Sequence, residues 1–303
     1  MGRYDGVRMH DESDFQADLS NSDACSAIFH DSFYKFANVA DVPHVVGVLR
    51  ELTHGLTGTI LVAAEGINGM LAGEAQALDG FHQALARDPR LGGVFGEIEV
   101  KRSPCAIAPF RRMKVRHKAE ILPLGIAGVN AVNHVGIRVD PADWRALIAR
   151  DDVVLIDNRN SFEYRVGHFK GAHNPGVYNF RDFPRYVEEN LGAWKAQGKK
   201  VAMYCTGGIR CEKTSAWLAT MNVPVYELAG GIINYFRRVP DANEDWEGEC
   251  FVFDNRVALD TRLQQTNTTL ADIYSGDERD GWRLQRALRL AHDDDQNKDD
   301  DAT

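Results

Sequence analysis

Apolar and polar residues along the first third of the chain alternate at two periods. The run at 27–37 (AIFHDSFYKFA) reads as a strand, VPHVVGVLRELTHG repeats at helical spacing, and GTILVAAEGINGMLAG reads as two short strands about a turn. A second helical stretch (EAQALDGFHQALARD) and two further strand-like runs (EIEVKRS, then KVRHKAEILP) follow. The order strand, helix, strand, strand, helix, strand predicts an α+β domain over 26–125 with a split-βαβ, ferredoxin-like sheet. A stretch rich in Gly, Asn and Val (GIAGVNAVNHVG) predicts a linker within 126–139.

The pattern then changes to short, wholly apolar runs between helical stretches. Asp140 and Pro141 stand where a helix needs its cap and first residue, before PADWRALIAR. VVLID ends on Asp157, KKVAMYC ends on Cys205, and PVYEL runs into AGGI. Buried-type strands alternating with helices predict a parallel sheet flanked by helices over 140–245, and such sheets place chemistry at the carboxyl ends of their strands. Asp157 and Cys205 both fall at such ends. Residues 246–303 read as a C-terminal extension.

Composition adds boundaries. A chain of 303 residues is long enough for two domains, each with its own core. No run approaches ~18 consecutive apolar residues, and the N-terminus is polar and acidic, so neither a membrane span nor a signal peptide is expected and the cytoplasm is the expected compartment. The net charge of −9 is concentrated at the ends. Residues 1–25 and 292–303 read as acidic, disordered tails, and the body between them is close to neutral. Within that body, residues 101–119 hold seven Lys or Arg and no acid, a local basic patch whose simpler reading is the charged face of an edge strand. Five cysteines without a CxxC pair argue against a disulfide framework and a structural zinc site, so no metal is expected. Cys25, Cys105 and Cys250 read as structural.

The stretch MYCTGGIRCEK carries the chemistry. Cys205 at a strand end, then Thr206, Gly207, Gly208, Ile209 and Arg210 and a helix-like run, has the layout of an anion cradle: glycines let backbone N–H groups curl inward and the helix adds its positive end. Arg210 and Lys213 are expected to add positive charge beside the sulfur, and such surroundings favour a thiolate. A small buried hydrophobe is the alternative reading of such a cysteine. Cys211 reads equally as a resolving thiol for an oxidised Cys205 or as a packed side chain.

These residues resemble the rhodanese domains, whose six-residue Cys-to-Arg loop matches CTGGIR and whose Asp-x-Arg, Glu-Tyr and Gly-His-x-x-Gly-Ala segments match Asp157, Arg159, Glu163, Tyr164, Gly167, His168, Gly171 and Ala172. The flanking motifs YKFANV, AAEGINGMLAG, RRMKVRHKAEIL, YNFRDFP, GIRCEK and GECFVFDNRVALD are together similar to the bacterial rhodanese-domain tRNA uridine hydroxylases. The resemblance covers about residues 27–262. It implies an α/β rhodanese domain preceded by a ferredoxin-like, acylphosphatase-like domain, and oxygen-dependent conversion of the wobble uridine of tRNA to 5-hydroxyuridine. Molecular oxygen is then a co-substrate; no flavin, haem or iron signature is present. Cys205 would either add to C6 of the ring or carry the oxygen as oxidised or persulfidated sulfur. Asp157 and Arg159 would support the loop.

With tRNA as the partner, Lys101, Arg102, Arg111, Arg112, Lys114 and Arg116 become candidate phosphate contacts, and Tyr178, Phe180 or Phe183 candidate stacking partners for the base. Many members of that family continue into a cysteine-rich tail, whereas residues 261–303 here contain no cysteine. The basic run RLQRALRL from Arg283 is the candidate substitute, though an ordinary surface helix explains it more simply. A sulfurtransferase passing persulfide sulfur to a thiol or cyanide fits the six-residue loop equally well, but does not require the N-terminal domain.

Overall fold

The computed structural model describes residues 28–105, 109–133 and 135–289. Cys25 and both acidic ends lie outside the described residues.

The N-terminal unit consists of β1 (Ile28–Phe36), α1 (Val42–Leu52), β2 (Thr57–Ala63), β3 (Gly66–Glu74), α2 (Ala75–Arg87), β4 (Val100–Cys105) and β5 (Met113–His117). Its five-stranded sheet has the order β4-β1-β3-β2-β5. The first four strands are the antiparallel split-βαβ arrangement, and β5 joins the far edge parallel to β2. Asp41 starts α1 by accepting the His44 N–H at 3.0 Å, with a proline in the first turn. Alternation along the strands turns Ile60, Ile67 and Leu71 towards Leu49, Leu78, Phe81 and Leu85 of the two helices, all of them buried. Thr59 and Met70 consequently belong to the opposite face. At the start of β3 a side chain has no room: a Cβ on Gly66 would lie 2.0 Å from the Lys35 carbonyl, and its φ is +141°. The β2–β3 turn is thereby drawn tight against β1, and it presents Glu65.

The second unit begins earlier than the apolar pattern indicates. Residues 137–139, within the stretch read as linker, form β6 (Ile137–Val139), an edge strand largely exposed and therefore without a buried-type signature. It is followed by α3 (Pro141–Ile148), β7 (Val153–Asp157), α4 (Ser161–Val166), β8 (Gly167–Phe169), α5 (Phe183–Ala196), β9 (Lys200–Tyr204), α6 (Ile209–Ala219), β10 (Val225–Leu228) and α7 (Gly231–Arg238). The parallel sheet runs β6-β10-β9-β7. Asp140 caps α3 through the Ala142 N–H at 3.0 Å. The extension is knit in: β11 (Trp246–Gly248) pairs with β8, β12 (Cys250–Phe251) with β13 (Ala258–Leu259), and α8 (Leu270–Tyr274) packs Ile273 and Tyr274 beside Phe162.

Candidate active site

Cys205 follows β9 directly, and the chain curls through Thr206 and Gly207 to Gly208, which adopts φ +102° at the cap of α6. Only glycine takes that conformation without strain. The loop rests on the AGGI turn. The Cys205 and Thr206 carbonyls accept N–H groups of Ile232 and Ile233 at 3.0 and 3.2 Å, and a Cβ on Gly231 would come within 2.5 Å of the Cys205 carbonyl. Ile209 packs with Phe36, Ile121 and Ala216, where the two units meet.

The Cys205 sulfur is 1% exposed and accepts the Gly208 N–H at 3.1 Å. Burial alone pushes its pKa up; the thiol of Cys211, the charge of Arg210 and the N–H groups of residues 211 and 210 outweigh it and bring the sulfur down to about 6. Burial and the neighbouring Cys205 push Cys211 well above its ordinary range, so it stays a thiol and donates to Cys205. Cys250 is pushed up to about 12 by burial, and Cys105 upward for the same reason. One thiolate among protonated thiols is the electrostatic signature of the loop.

Arg210 is fixed by two groups that sequence reading did not assign to the site. Its Nη1 donates to Glu163 Oε1 at 3.0 Å, and its guanidinium lies 5.6 Å from the Phe253 ring centroid. Glu163 is fully buried and also accepts the Asn160 N–H at 3.1 Å, closing the capping box of α4. That Asn-x-x-Glu spacing is the local signal that marks Glu163. Phe253, 47% exposed after β12, carries none.

Several expected site residues stand elsewhere. Lys213, expected beside the thiolate, turns its ammonium to Glu65 Oε1 at 2.8 Å, Glu120 Oε2 at 2.5 Å and the Leu122 carbonyl at 2.6 Å. It sits a full turn further along α6, where the helix faces the N-terminal unit. Asp157 and Arg159 form a wholly buried bidentate pair at 2.8 and 2.6 Å; Tyr204 also donates to Asp157, and Arg159 to the Gly167 carbonyl. The pair closes the carboxyl end of β7 and ties it to Tyr204 and Gly167. Phe180 and Phe183 belong to the core, and the Tyr178 hydroxyl donates to Asp277 at 2.9 Å while Arg279 covers its ring.

The basic stretch divides because β4 and β5 lie at opposite edges of the sheet. Lys101 is 6% exposed and donates to the Gly207 carbonyl at 2.9 Å; Arg102 grips Asp31 bidentately at 2.8 Å and pairs with Asp79. Lys101 is thereby withdrawn from solvent, whereas Arg102 remains part-exposed while engaged in its two ion pairs. Arg116 is exposed on β5. Arg111, Arg112 and Lys114 line a cleft of about 710 Å³ together with Phe110, Phe253, Tyr274, Trp282, Arg283 and Arg286. Its floor includes Thr59 and Met70, on the sheet face away from the helices. Part of the run RLQRALRL therefore forms one wall of this cleft.

Sheet, six-residue loop, buried thiolate and oriented arginine define a rhodanese-type domain, here built onto an acylphosphatase-like one. Family models agree in extent: "UPF0176 acylphosphatase like domain" matches residues 30–121 and "Rhodanese-like domain" matches 140–237. The chain is 44% identical over 237 residues to the tRNA uridine(34) hydroxylase of Bradyrhizobium diazoefficiens, covering 77% of this chain and 92% of that protein. The same identity holds with the proteins of that name from Teredinibacter turnerae (77% of this chain, 72% of that one) and Brucella ovis (79% and 77%). The chain belongs to the tRNA uridine(34) hydroxylase family.

Proposed function

We propose that this protein hydroxylates C5 of the uridine at position 34 of tRNA, with Cys205 as the reacting sulfur and the aromatic, cationic cleft as the entry for the anticodon loop. One observation carries the reading. Phe253 both lies against Arg210 of the thiolate loop and lines the cleft, so the chemistry and a wall of cations and rings share a side chain. Single-stranded RNA is bound by such surfaces: cations follow the phosphates while unpaired bases stack on rings. Relatives 44% identical carry the corresponding name.

The reaction replaces C5–H of uracil by C5–OH. Molecular oxygen supplies the inserted atom, and its second atom leaves as water with two protons and two electrons from an external reductant. This chain's residues keep Cys205 ionised, hold Arg210 through Glu163 where negative charge develops, and offer the Gly208 N–H as a fixed donor.

The test is nucleoside mass spectrometry of tRNA from cells lacking the protein and complemented with wild type or Cys205→Ala. Restoration of 5-hydroxyuridine by wild type alone is expected; restoration by the alanine variant overturns the role of Cys205. An anticodon stem-loop with 5-fluorouridine at position 34 then separates two uses of the sulfur. A covalent adduct identifies addition to C6, and its absence beside an oxidised Cys205 identifies an oxygen carrier.

A further inference from the structure

Lys101 and Cys205 engage opposite ends of one peptide unit. The Lys101 ammonium donates to the Gly207 carbonyl at 2.9 Å, and the N–H of the same unit, that of Gly208, donates to Cys205 Sγ at 3.1 Å. In a trans peptide the C=O and N–H are coplanar and point in opposite directions, so holding one holds the other. We propose that Lys101, supplied by the N-terminal domain, is a positioning residue of the active loop: it locks the Gly207–Gly208 peptide so that its N–H is aimed at the Cys205 sulfur.

The unit needs such a lock. It joins two glycines, the residues with the widest backbone freedom, and a peptide between them rotates at small cost unless something grips it. The Gly207 side offers no packing either, since a Cβ built there meets nothing within 4 Å. Lys101 is itself held for the task. It lies 6% exposed on β4, opposite Ser32, with its ammonium 5.6 Å from the Tyr34 ring and 3.4 Å from Glu99. Burying a lysine is costly, and a cation serving only solubility would sit outside. Tyr34 reinforces the arrangement, its hydroxyl standing 3.0 Å from where a Gly208 Cβ would be and donating to Glu212. In this reading the N-terminal domain completes the active site as well as facing the substrate, and the inference holds whatever that substrate is.

Charged and titratable groups acting on the sulfur come from five elements around it. Arg210 and Cys211 belong to α6, Lys101 to β4, Tyr34 to β1, Glu227 to β10 and Cys250 to β12. The experiment measures alkylation of Cys205 by iodoacetamide against pH, by peptide mass spectrometry, in the full chain and in Lys101→Met and Lys101→Arg. In the methionine variant the midpoint is expected to rise by about one unit, which lowers the rate at pH 6 about fivefold. Arginine, which still donates, should largely restore it. The amide proton of Gly208 provides the second readout: its downfield NMR position, set by the sulfur acceptor, is lost in Lys101→Met and kept in Lys101→Arg, whereas loss of charge alone leaves it in place. If the methionine variant does not fold, Lys101→Gln, too short to reach the Gly207 carbonyl in the same way, takes its place with the same expected direction. A folded variant with an unchanged midpoint and an unmoved Gly208 resonance overturns the proposal.

Discussion

Lys213 and Glu65, 148 residues apart, meet at 2.8 Å where α6 of the second domain touches the β2–β3 turn of the first. The same ammonium reaches Glu120 and the Leu122 carbonyl, so one buried cation gathers three acceptors. Lys101 crosses the same boundary in the other direction.

Removal of the Lys213 ammonium leaves two carboxylates and a carbonyl facing each other without a cation, the carboxylates keeping the N–H groups of Ile121 and Leu124. Lys213→Met is expected to lower stability by about 2 to 3 kcal/mol, because the lysine is buried while Glu65 and Glu120 retain some contact with water. Urea unfolding of the two proteins measures it, and a loss under 0.5 kcal/mol would contradict the assignment. The alkylation midpoint of Cys205 should stay where it is, since the charge points away from the sulfur.

A second buried pair predicts a different outcome from a mutation of equal size. Asp157→Asn strands the Arg159 guanidinium, fully enclosed between β7, Tyr204 and Gly167, and should cost about 3 to 5 kcal/mol. Thermal unfolding is the measurement.

Ionisation of Cys205 makes stability depend on pH with a definite sign. Its pKa falls from 9.0 to about 6 on folding, so the thiolate's contribution is complete above the unfolded value and disappears as the pH falls through about 6. The stability of wild type relative to Cys205→Ser is therefore expected to grow between about pH 6 and 9. Glu227, raised to about 7 chiefly by burial and in part by the Cys205 charge, acts in the opposite direction, so the difference reports the sulfur together with its coupling to Glu227. A difference flat across that window would show an unperturbed thiol.

The cleft makes a prediction about RNA. Arg112→Ala and Arg286→Ala should each weaken binding of an anticodon stem-loop and lower the slope of log affinity against log salt by about one. Trp282→Ala, which removes a ring 47% exposed on the wall, should cost about 1 to 3 kcal/mol with an unchanged slope. Fluorescence anisotropy over a salt series distinguishes the two behaviours.

The parts legible in the sequence were those written locally. Strand ends at Asp157 and Cys205, the cap at Asp140 and the glycines of the loop follow from neighbours a few residues away, and the parallel sheet follows from their spacing. What depends on long-range pairing was not legible. Lys101 and Lys213 read as surface or site cations because their acceptors lie 106 and 148 residues distant. Residues 101–119 read as one patch, and the sheet order sends their two halves to opposite edges. β6 was hidden by its exposure, and the aromatic residues near Tyr178 gave no sign that core and C-terminal contacts would occupy them.

The two lysines that pass in opposite directions across the domain boundary, with Leu124 and Ala131 buried as well, tie the domains together apart from the covalent link. A protease that nicks the chain near Gly125 or Gly128 should yield two fragments that migrate as one species until a denaturant is added, with the thiolate still formed.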